Sequence, residues 1–221
     1  RNIEEHELIR TDFFCVKIVS HKDIDDTECF ITSTSIYVTI HTRFGTIKTK
    51  KMIGEDFENN EVIIINTPNN SIDRFFRPSA TANSILLTEK CDQRCIMCSQ
   101  PPKNLDYDYF DIYEKALLLT PENTNIGITG GEPTLHKKNL FKFILNIIKK
   151  RPDITFHVLS NAQHFKDTDV DDLYRMRDHV LWGIPLYSSM PEIHDKIVVK
   201  PKAFNKLLRN LNYLYLASSR V

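Results

Sequence analysis

Three of the chain's five cysteines fall inside Cys91-Asp92-Gln93-Arg94-Cys95-Ile96-Met97-Cys98, with spacing C-x3-C-x2-C. Thiolates that close in sequence can wrap one side of a compact metal centre. A [4Fe–4S] cube ordinarily takes four cysteine ligands, one per iron. With three in one loop and no evident fourth, one iron stays open to a ligand that is not protein. Two other arrangements fit the same residues. A structural zinc wants four ligands, usually from paired arms, and here a second arm is missing unless His6, His21 or His41 is recruited. Positions 91, 95 and 98 also follow i, i+4, i+7, the spacing of three small buried side chains on one helix face.

A second stretch is Ile126-Gly127-Ile128-Thr129-Gly130-Gly131-Glu132-Pro133. An apolar run enters Gly-Gly-Glu-Pro, the pattern of a strand ending in a sharp turn. The chain has only six glycines, and two are adjacent here. Lacking Cβ atoms, they allow positive φ and a close approach of backbone to a ligand. Glu132 and the exposed backbone groups are then placed to hold an ammonium group. An ordinary strand-to-helix loop would also use these residues.

The two motifs together resemble the radical S-adenosylmethionine (SAM) enzyme superfamily, over about residues 83 to 221. The resemblance implies that Cys91, Cys95 and Cys98 hold a [4Fe–4S] cluster whose open iron chelates SAM. It also implies that Gly130, Gly131, Glu132 and Pro133 form the turn that meets the methionine amino group. The residue before the last cysteine is often aromatic in the family, and its backbone meets the adenine; here it is Met97. Ser160 and Asn161 resemble the third-strand segment that reaches the ribose or the methionine carboxylate, although Ser-Asn also simply starts loops. Tyr187 and Ser188, after a fourth strand, are placed to meet ribose or substrate, or to pack within a loop. Cys98-Ser-Gln-Pro-Pro102, Ser160-Asn-Ala162 and Ile184-Pro-Leu-Tyr-Ser188 with His194-Asp195 are similar to the radical SAM maturase of the His-Xaa-Ser peptide-modification system. A turn or helix-capping role suits His194-Asp195 better than acid–base catalysis. Gln93 and Arg94 are placed to cover the cluster or shape its potential.

The elements that must position these residues fall into two parts. Residues 1–80 read as a small β-rich domain, a possible peptide-binding or accessory module. Phe13–Val19 is an apolar run, and 36–42 and 46–52 alternate around a Gly45 turn as a hairpin. Val62–Ile65 follows, and Pro68-Asn69-Asn70 closes the set. The antiparallel sheet or barrel so formed ends in the linker Arg77-Pro78-Ser79-Ala80. An open edge there could take a leader peptide by strand addition. Cys15 and Cys29, in strand-like contexts, read as core residues.

Residues 81–221 alternate strand and helix, which points to βαβ units and a parallel sheet. The strands expected are 85–88, 125–129, 155–159 and 179–186, with Pro185 marking an end or bulge. The helices expected are 110–119, one capped by Asn139 with a stripe of Leu140, Ile144, Ile147 and Ile148, 167–176, and one opened by Lys200-Pro201 with Ala203, Leu207, Leu208 and Leu211 inward. The fold class is therefore α/β, a partial (β/α) barrel of radical SAM type with about four βα units. Every polar or glycine-containing motif lies at the C-terminal end of a strand, where such sheets place ligands. Ser218–Val221 resembles the start of a fifth strand. The domain is therefore expected to stop before that strand, to leave the fourth strand as an unpaired edge, and to cleave SAM poorly until extended.

Apolar content of 41% and charged content of 26% are ordinary for a globular protein. Formal charge balances at 29 basic against 29 acidic residues, so no nucleic-acid partner is indicated. Lys137, Lys138, Lys142, Lys149, Lys150 and Arg151 cluster around one helix, as a solvated face does. No membrane span or signal peptide is seen, and cysteine usage suits a reducing cytoplasm. The resemblance implies reductive SAM cleavage to a 5′-deoxyadenosyl radical, an electron donor such as flavodoxin or ferredoxin, and a peptide or protein substrate. That substrate would be a ribosomally made His-Xaa-Ser peptide, with a second maturase of the same system as a possible partner. An activase of a partner protein and a non-catalytic iron–sulfur peptide-binding module are the alternatives.

Overall fold

The structure is a computed structural model that describes residues 5–8, 13–34, 36–50, 56–104 and 108–221. The chain divides into two compact units, Arg1–Asn83 with Asp111–Glu122, and Ser84–Phe110 with Asn123–Val221.

The first unit is built on β1 (Glu5–Leu8), β2 (Phe13–Ile18), β3 (Glu28–Ser33), β4 (Tyr37–Thr42), β5 (Gly45–Lys50), β6 (Val62–Asn66) and β7 (Ser71–Phe76). They form one sheet in the order β1-β5-β4-β3-β2-β6-β7. The hairpin about Gly45 is present, with Ile40 opposite Ile47; the end of its expected second arm, Lys51 and Met52, lies outside the described residues. Period-two alternation sends Phe14, Val16, Ile18, Val38, Ile40, Ile47, Ile63 and Ile65 into one core.

Three expectations change here. Pro68-Asn69-Asn70 does not close the set but turns the chain into β7, with Asn70 left-handed at φ 50°. The sheet is mixed rather than antiparallel, because β2 and β3 run parallel; residues 19–27 are too long a connection to act as a tight hairpin turn. Cys29 is buried in the core, and burial pushes its thiol far up, whereas Cys15 is only half-buried.

Residues 77–80 are tied down: Ser79 N donates to Glu58 Oε2 at 3.0 Å and Arg77 N to Asn83 Oδ1 at 2.8 Å. Helix α1 (Phe110–Leu118) groups from Asp111 onward with this unit, and Tyr113 stacks on Phe75 at 5.7 Å. The sequence reading had put everything after residue 80 with the α/β part. Its buried face is Ile112, Ala116 and Leu117, while Phe110 and Tyr113 stay half-buried.

The second unit carries β8 (Ser84–Thr88), β9 (Asn125–Gly130), β10 (Thr155–Leu159) and β11 (Val180–Gly183). They lie in sequential order and all pair parallel, one side of a (β/α) barrel. Four helices follow in turn: α2 (Lys137–Lys150), α3 (Val170–Met176), α4 (Pro191–Val198) and α5 (Ala203–Leu216). Asn139 does not cap α2. Glu132 caps a 3₁₀ turn over Pro133–His136, and α2 continues from it three residues earlier than expected.

Strand β11 stops at Gly183, short of Pro185, which lacks a ladder donor. Its outer edge is not wholly unpaired, since Trp182 N donates to Arg220 O at 2.9 Å. Helix α4 escaped the sequence reading because only His194 and Val198 of its eight residues are buried. Helix α5 buries Phe204, Asn210 and Leu214 beside Ala203 and Leu207, leaving Leu208 exposed and Leu211 half-buried. No described helix is long and apolar enough to cross a membrane.

Candidate cofactor site

The cysteine loop leaves β8 at Thr88 and is irregular, so the helical spacing of its cysteines is incidental. Lys90 N donates to Thr88 Oγ1 at 3.1 Å, and Lys103 N returns to Glu89 O at 3.0 Å, closing the loop at its base. Two of its amides find acceptors on α4: Arg94 N donates to Val198 O at 3.2 Å and Ile96 N to Ile197 O at 3.0 Å. The carbonyls of a helix's last turn lack intrahelical partners, so the loop and the helix end satisfy each other. Gln93 is buried under the loop with Oε1 3.7 Å from Cys95 Sγ, whereas Arg94 is exposed.

The glycine turn is pressed against the base of that loop. Gly131 N donates to Thr88 O at 2.7 Å and Glu132 N to Lys90 O at 2.8 Å. Gly130 sits at φ +130°, and a Cβ on Gly131 would stand 2.0 Å from Lys90 O. The close approach that requires glycine is thus to the cysteine loop's own backbone, which locks the two motifs together.

Glu132 was expected to reach an ammonium group, and its carboxylate faces inward instead. It is 1% exposed and accepts from Thr134 N at 2.9 Å, Ser160 Oγ at 2.8 Å, Asn161 N at 2.6 Å and the Thr134 hydroxyl. Three of these bonds converge on Oε1 and one, from Asn161 N, falls on Oε2. Burial nevertheless outweighs these bonds and raises the carboxyl above its ordinary range. Ser160 is likewise buried and committed to Glu132, and Pro133 is buried at the start of the 3₁₀ turn. Gly130 and Gly131, by contrast, stay half-exposed.

Asp92 is the residue that the sequence reading missed. Asn161 Nδ2 donates to its Oδ1 at 2.8 Å, while His164 Nε2, at 3.1 Å, and the Lys200 ammonium meet its Oδ2. Burial alone would push the Asp92 carboxyl up. The bonds from His164, Lys200 and Asn161 outweigh it and hold the group well below the usual carboxylate range. Asp92 thus clasps the cysteine loop to the end of β10 and to the α4–α5 junction. The partners are held in turn: Asn210 of α5 donates to Ala162 O at 2.7 Å, Gln163 Nε2 to Ala203 O at 3.0 Å, and Asp195 accepts from Phe204 N at 2.8 Å. Asp195 lies inside α4 and is the N-cap of neither helix, but its carboxylate takes the Lys202 and Phe204 N–H groups where α5 begins. Asn161, expected at ribose or carboxylate, has its side chain and its N–H engaged here.

Tyr187 stands close enough to Cys95 and Cys98 for their charges, after burial, to raise its phenol. Its N–H points to His194 Nδ1 at 3.4 Å, and the rings lie 5.8 Å apart. Met97 is 50% exposed on the rim of the same loop. Burial pushes the Cys91 thiol up to about 11, eased by the Gln93 backbone and reinforced by Glu132 and Asp92. Burial also raises Cys95, so metal binding at neutral pH would release protons.

The three thiols are free and half-buried to exposed. Among the described residues no three His, Cys, Asp or Glu side chains converge on a single ion. His21 and His41 belong to the other unit and are engaged there, with Asp23 O and Thr32 Oγ1, each at 2.8 Å. The side chain of His6 is not among those described. A soft three-thiol donor set on one loop fits an iron–sulfur cluster.

The comparisons agree with this geometry. The Radical SAM superfamily profile matches residues 85–220. The GTP 3′,8-cyclase of Nautilia profundicola is 28% identical over 138 residues, which cover 58% of this chain and 41% of that protein. The solved structure of native anSMEcpe with bound AdoMet and Cp18Cys peptide has a TM-score of 0.51 at 16% identity, covering 62% of this chain and 40% of that one. Native anSMEcpe with bound AdoMet gives the same TM-score of 0.51 and identity of 16%, over 62% and 41%. The chain thus spans about two fifths of the length of these relatives. With the profile matching more than half of its residues, the chain belongs to the radical SAM superfamily, whose members use a [4Fe–4S] cluster and S-adenosylmethionine.

Proposed function

We propose that Cys91, Cys95 and Cys98 ligate the cluster and that this chain is the cofactor-binding part of a radical SAM peptide maturase. When bound, the cluster and SAM supply one-electron reductive cleavage to a 5′-deoxyadenosyl radical that takes hydrogen from the substrate. The observation that carries this reading is the double lock between the two motifs, the Gly131–Thr88 and Glu132–Lys90 bonds. It fixes the methionine-binding turn relative to the thiols. Gly130 and Gly131 offer backbone oxygens to the amino group, and Glu132 and Ser160 hold the turn from beneath. Tyr187 and Met97 flank the cysteines, where they would shield the reacting end from water. A module that only stored a cluster would have no need of a turn locked to the thiol loop.

A His-Xaa-Ser type peptide is the proposed substrate, supported by the sequence resemblance and by the peptide bound to native anSMEcpe. The cyclase relative favours a second possibility, a nucleotide. Anaerobic reconstitution followed by EPR, with and without SAM, tests the site. Release of 5′-deoxyadenosine with His-Xaa-Ser peptides or GTP separates the substrates. Single Cys91→Ala, Cys95→Ala and Cys98→Ala changes should abolish the cluster's visible absorption. Undiminished iron in any of them, or a cluster signal indifferent to SAM, sinks the proposal.

A further inference from the structure

The four parallel strands turn one face to the helices and the other away from them. On the helix side Phe156 and Trp182 are buried, with ring distances of 6.2 and 6.3 Å to Phe143 and Phe141 of α2. Alternation puts Leu86, Thr129, His157, Leu159 and Leu181 on the other face. There Leu159 is 46% exposed and the others are half-buried. None of the four strands carries Asp, Glu, Lys or Arg, and His157 is their only titratable side chain.

Two glycines make room for that histidine. His157 pairs with Gly127 on one side and with Leu181 on the other. Its Nε2 lies 2.7 Å from where a Cβ on Gly183 would stand. Gly183 pairs with Leu159, two residues further along β10. The ring therefore leans over β11 towards the end of the sheet that carries the cysteine loop and the glycine turn. At the opposite end of the face the polar groups satisfy each other, Asn125 Nδ2 donating to Thr155 Oγ1 at 2.8 Å. Nearer the site they do not: among the described residues the His157 imidazole makes no hydrogen bond or ion pair, and the Thr129 hydroxyl makes no hydrogen bond. A mostly apolar surface with a few unpaired polar groups has the make-up of a ligand site.

Resting on the function proposed above, we propose that this face is the floor of the substrate site and that His157 orients the substrate on it. The thiols and the turn that would hold SAM follow β8 and β9, which leaves the side of β10 and β11 to the molecule the radical attacks. The His157 imidazole hydrogen-bonds an uncharged hydroxyl or imidazole group, such as the serine or histidine side chain of a His-Xaa-Ser peptide. A charged group would find no fixed counter-charge on the four strands, and burying it unpaired is costly. One hydrogen bond from a fixed ring then sets which C–H of the substrate faces the SAM site.

The test titrates a fluorescein-labelled peptide carrying a His-Xaa-Ser unit against the reconstituted chain with SAM present, read by fluorescence anisotropy. His157→Phe keeps a ring and removes both nitrogens; His157→Gln keeps a polar atom near the place of Nε2. Two further peptides have alanine in place of the histidine or of the serine. His157→Phe should bind the unaltered peptide about tenfold more weakly, the size expected for one lost hydrogen bond. His157→Gln should lose less, and both variants should keep their iron and the EPR response of the cluster to SAM. The altered peptide that lacks the contacted group should bind the unmutated chain about as weakly, and His157→Phe should weaken it no further. Gly183→Ala, whose methyl takes the space of the ring, should also lower affinity for the unaltered peptide. Unchanged affinity in His157→Phe, an equal loss in His157→Gln, or losses that add with both altered peptides overturns the assignment. Loss of iron or of the SAM response in both His157 variants also overturns it, because the residue would then be structural. A cluster indifferent to SAM in the unmutated chain, or no binding of the unaltered peptide to it, overturns the underlying function instead, and the inference with it.

Discussion

Replacing Glu132 by alanine distinguishes a carboxylate that holds the turn from one that faces a ligand. The side chain is buried and accepts from two backbone amides, Thr134 N and Asn161 N, and from the Ser160 and Thr134 hydroxyls. The hydroxyls can rotate to other acceptors; the amides cannot. Leaving a buried donor unsatisfied costs about 1–3 kcal/mol, so the two amides put the loss at about 2–6 kcal/mol. Glu132→Gln keeps one oxygen but aims an amide NH₂ at donors, and should fall between alanine and the native residue. Trp182 is the chain's only tryptophan and is 1% exposed inside the α/β unit, so its fluorescence in urea reports on that unit. With m of about 1–3 kcal/mol per molar, the midpoint of the apo protein should drop by roughly 1–3 M. A loss below about 1 kcal/mol would refute the reasoning. It would mean that the carboxylate is not what holds the turn.

Gly131→Ala should lower the iron taken up on reconstitution well below that of the unmutated chain, because its Cβ would meet Lys90 O at 2.0 Å and Lys90 C at 2.5 Å, both backbone. Gly183→Ala meets side-chain atoms of His157 and Leu159 at 2.7 Å and should be milder; equal iron in both would show that the docked turn is dispensable. Asp153 gives a pH prediction. Hydrogen bonds from Arg151 at 2.6 and 2.8 Å, then Asn123 N, hold its carboxyl well below the usual range against burial. Its contribution is fully present above the unfolded value of about 3.9 and is lost progressively as pH falls below that value towards the depressed folded one. Asp153→Asn should therefore flatten the fall in the Trp182-monitored midpoint below about pH 4, and an unchanged slope would exclude the contribution.

Much of this protein is set by residues near one another in the chain. The three cysteines, the Gly-Gly-Glu-Pro turn and the strand–helix alternation are local patterns, and β10 and the Gly45 hairpin stand where periodicity places them. What only the tertiary structure decided is where side chains with more than one possible destination go. Glu132 and Ser160 carry the polar groups a ligand would want, yet they turn inward because four donors from two strand ends converge there. Asp92 has an ordinary sequence context and becomes a clasp because Asn161, His164 and Lys200, some 70 to 108 residues away, arrive at one point. The parallel β2–β3 pair and helix α4, which buries only His194 and Val198, leave too weak a local pattern to read. Periodicity records which face is buried. It does not record which partner a polar group will meet, since that depends on elements distant in the chain.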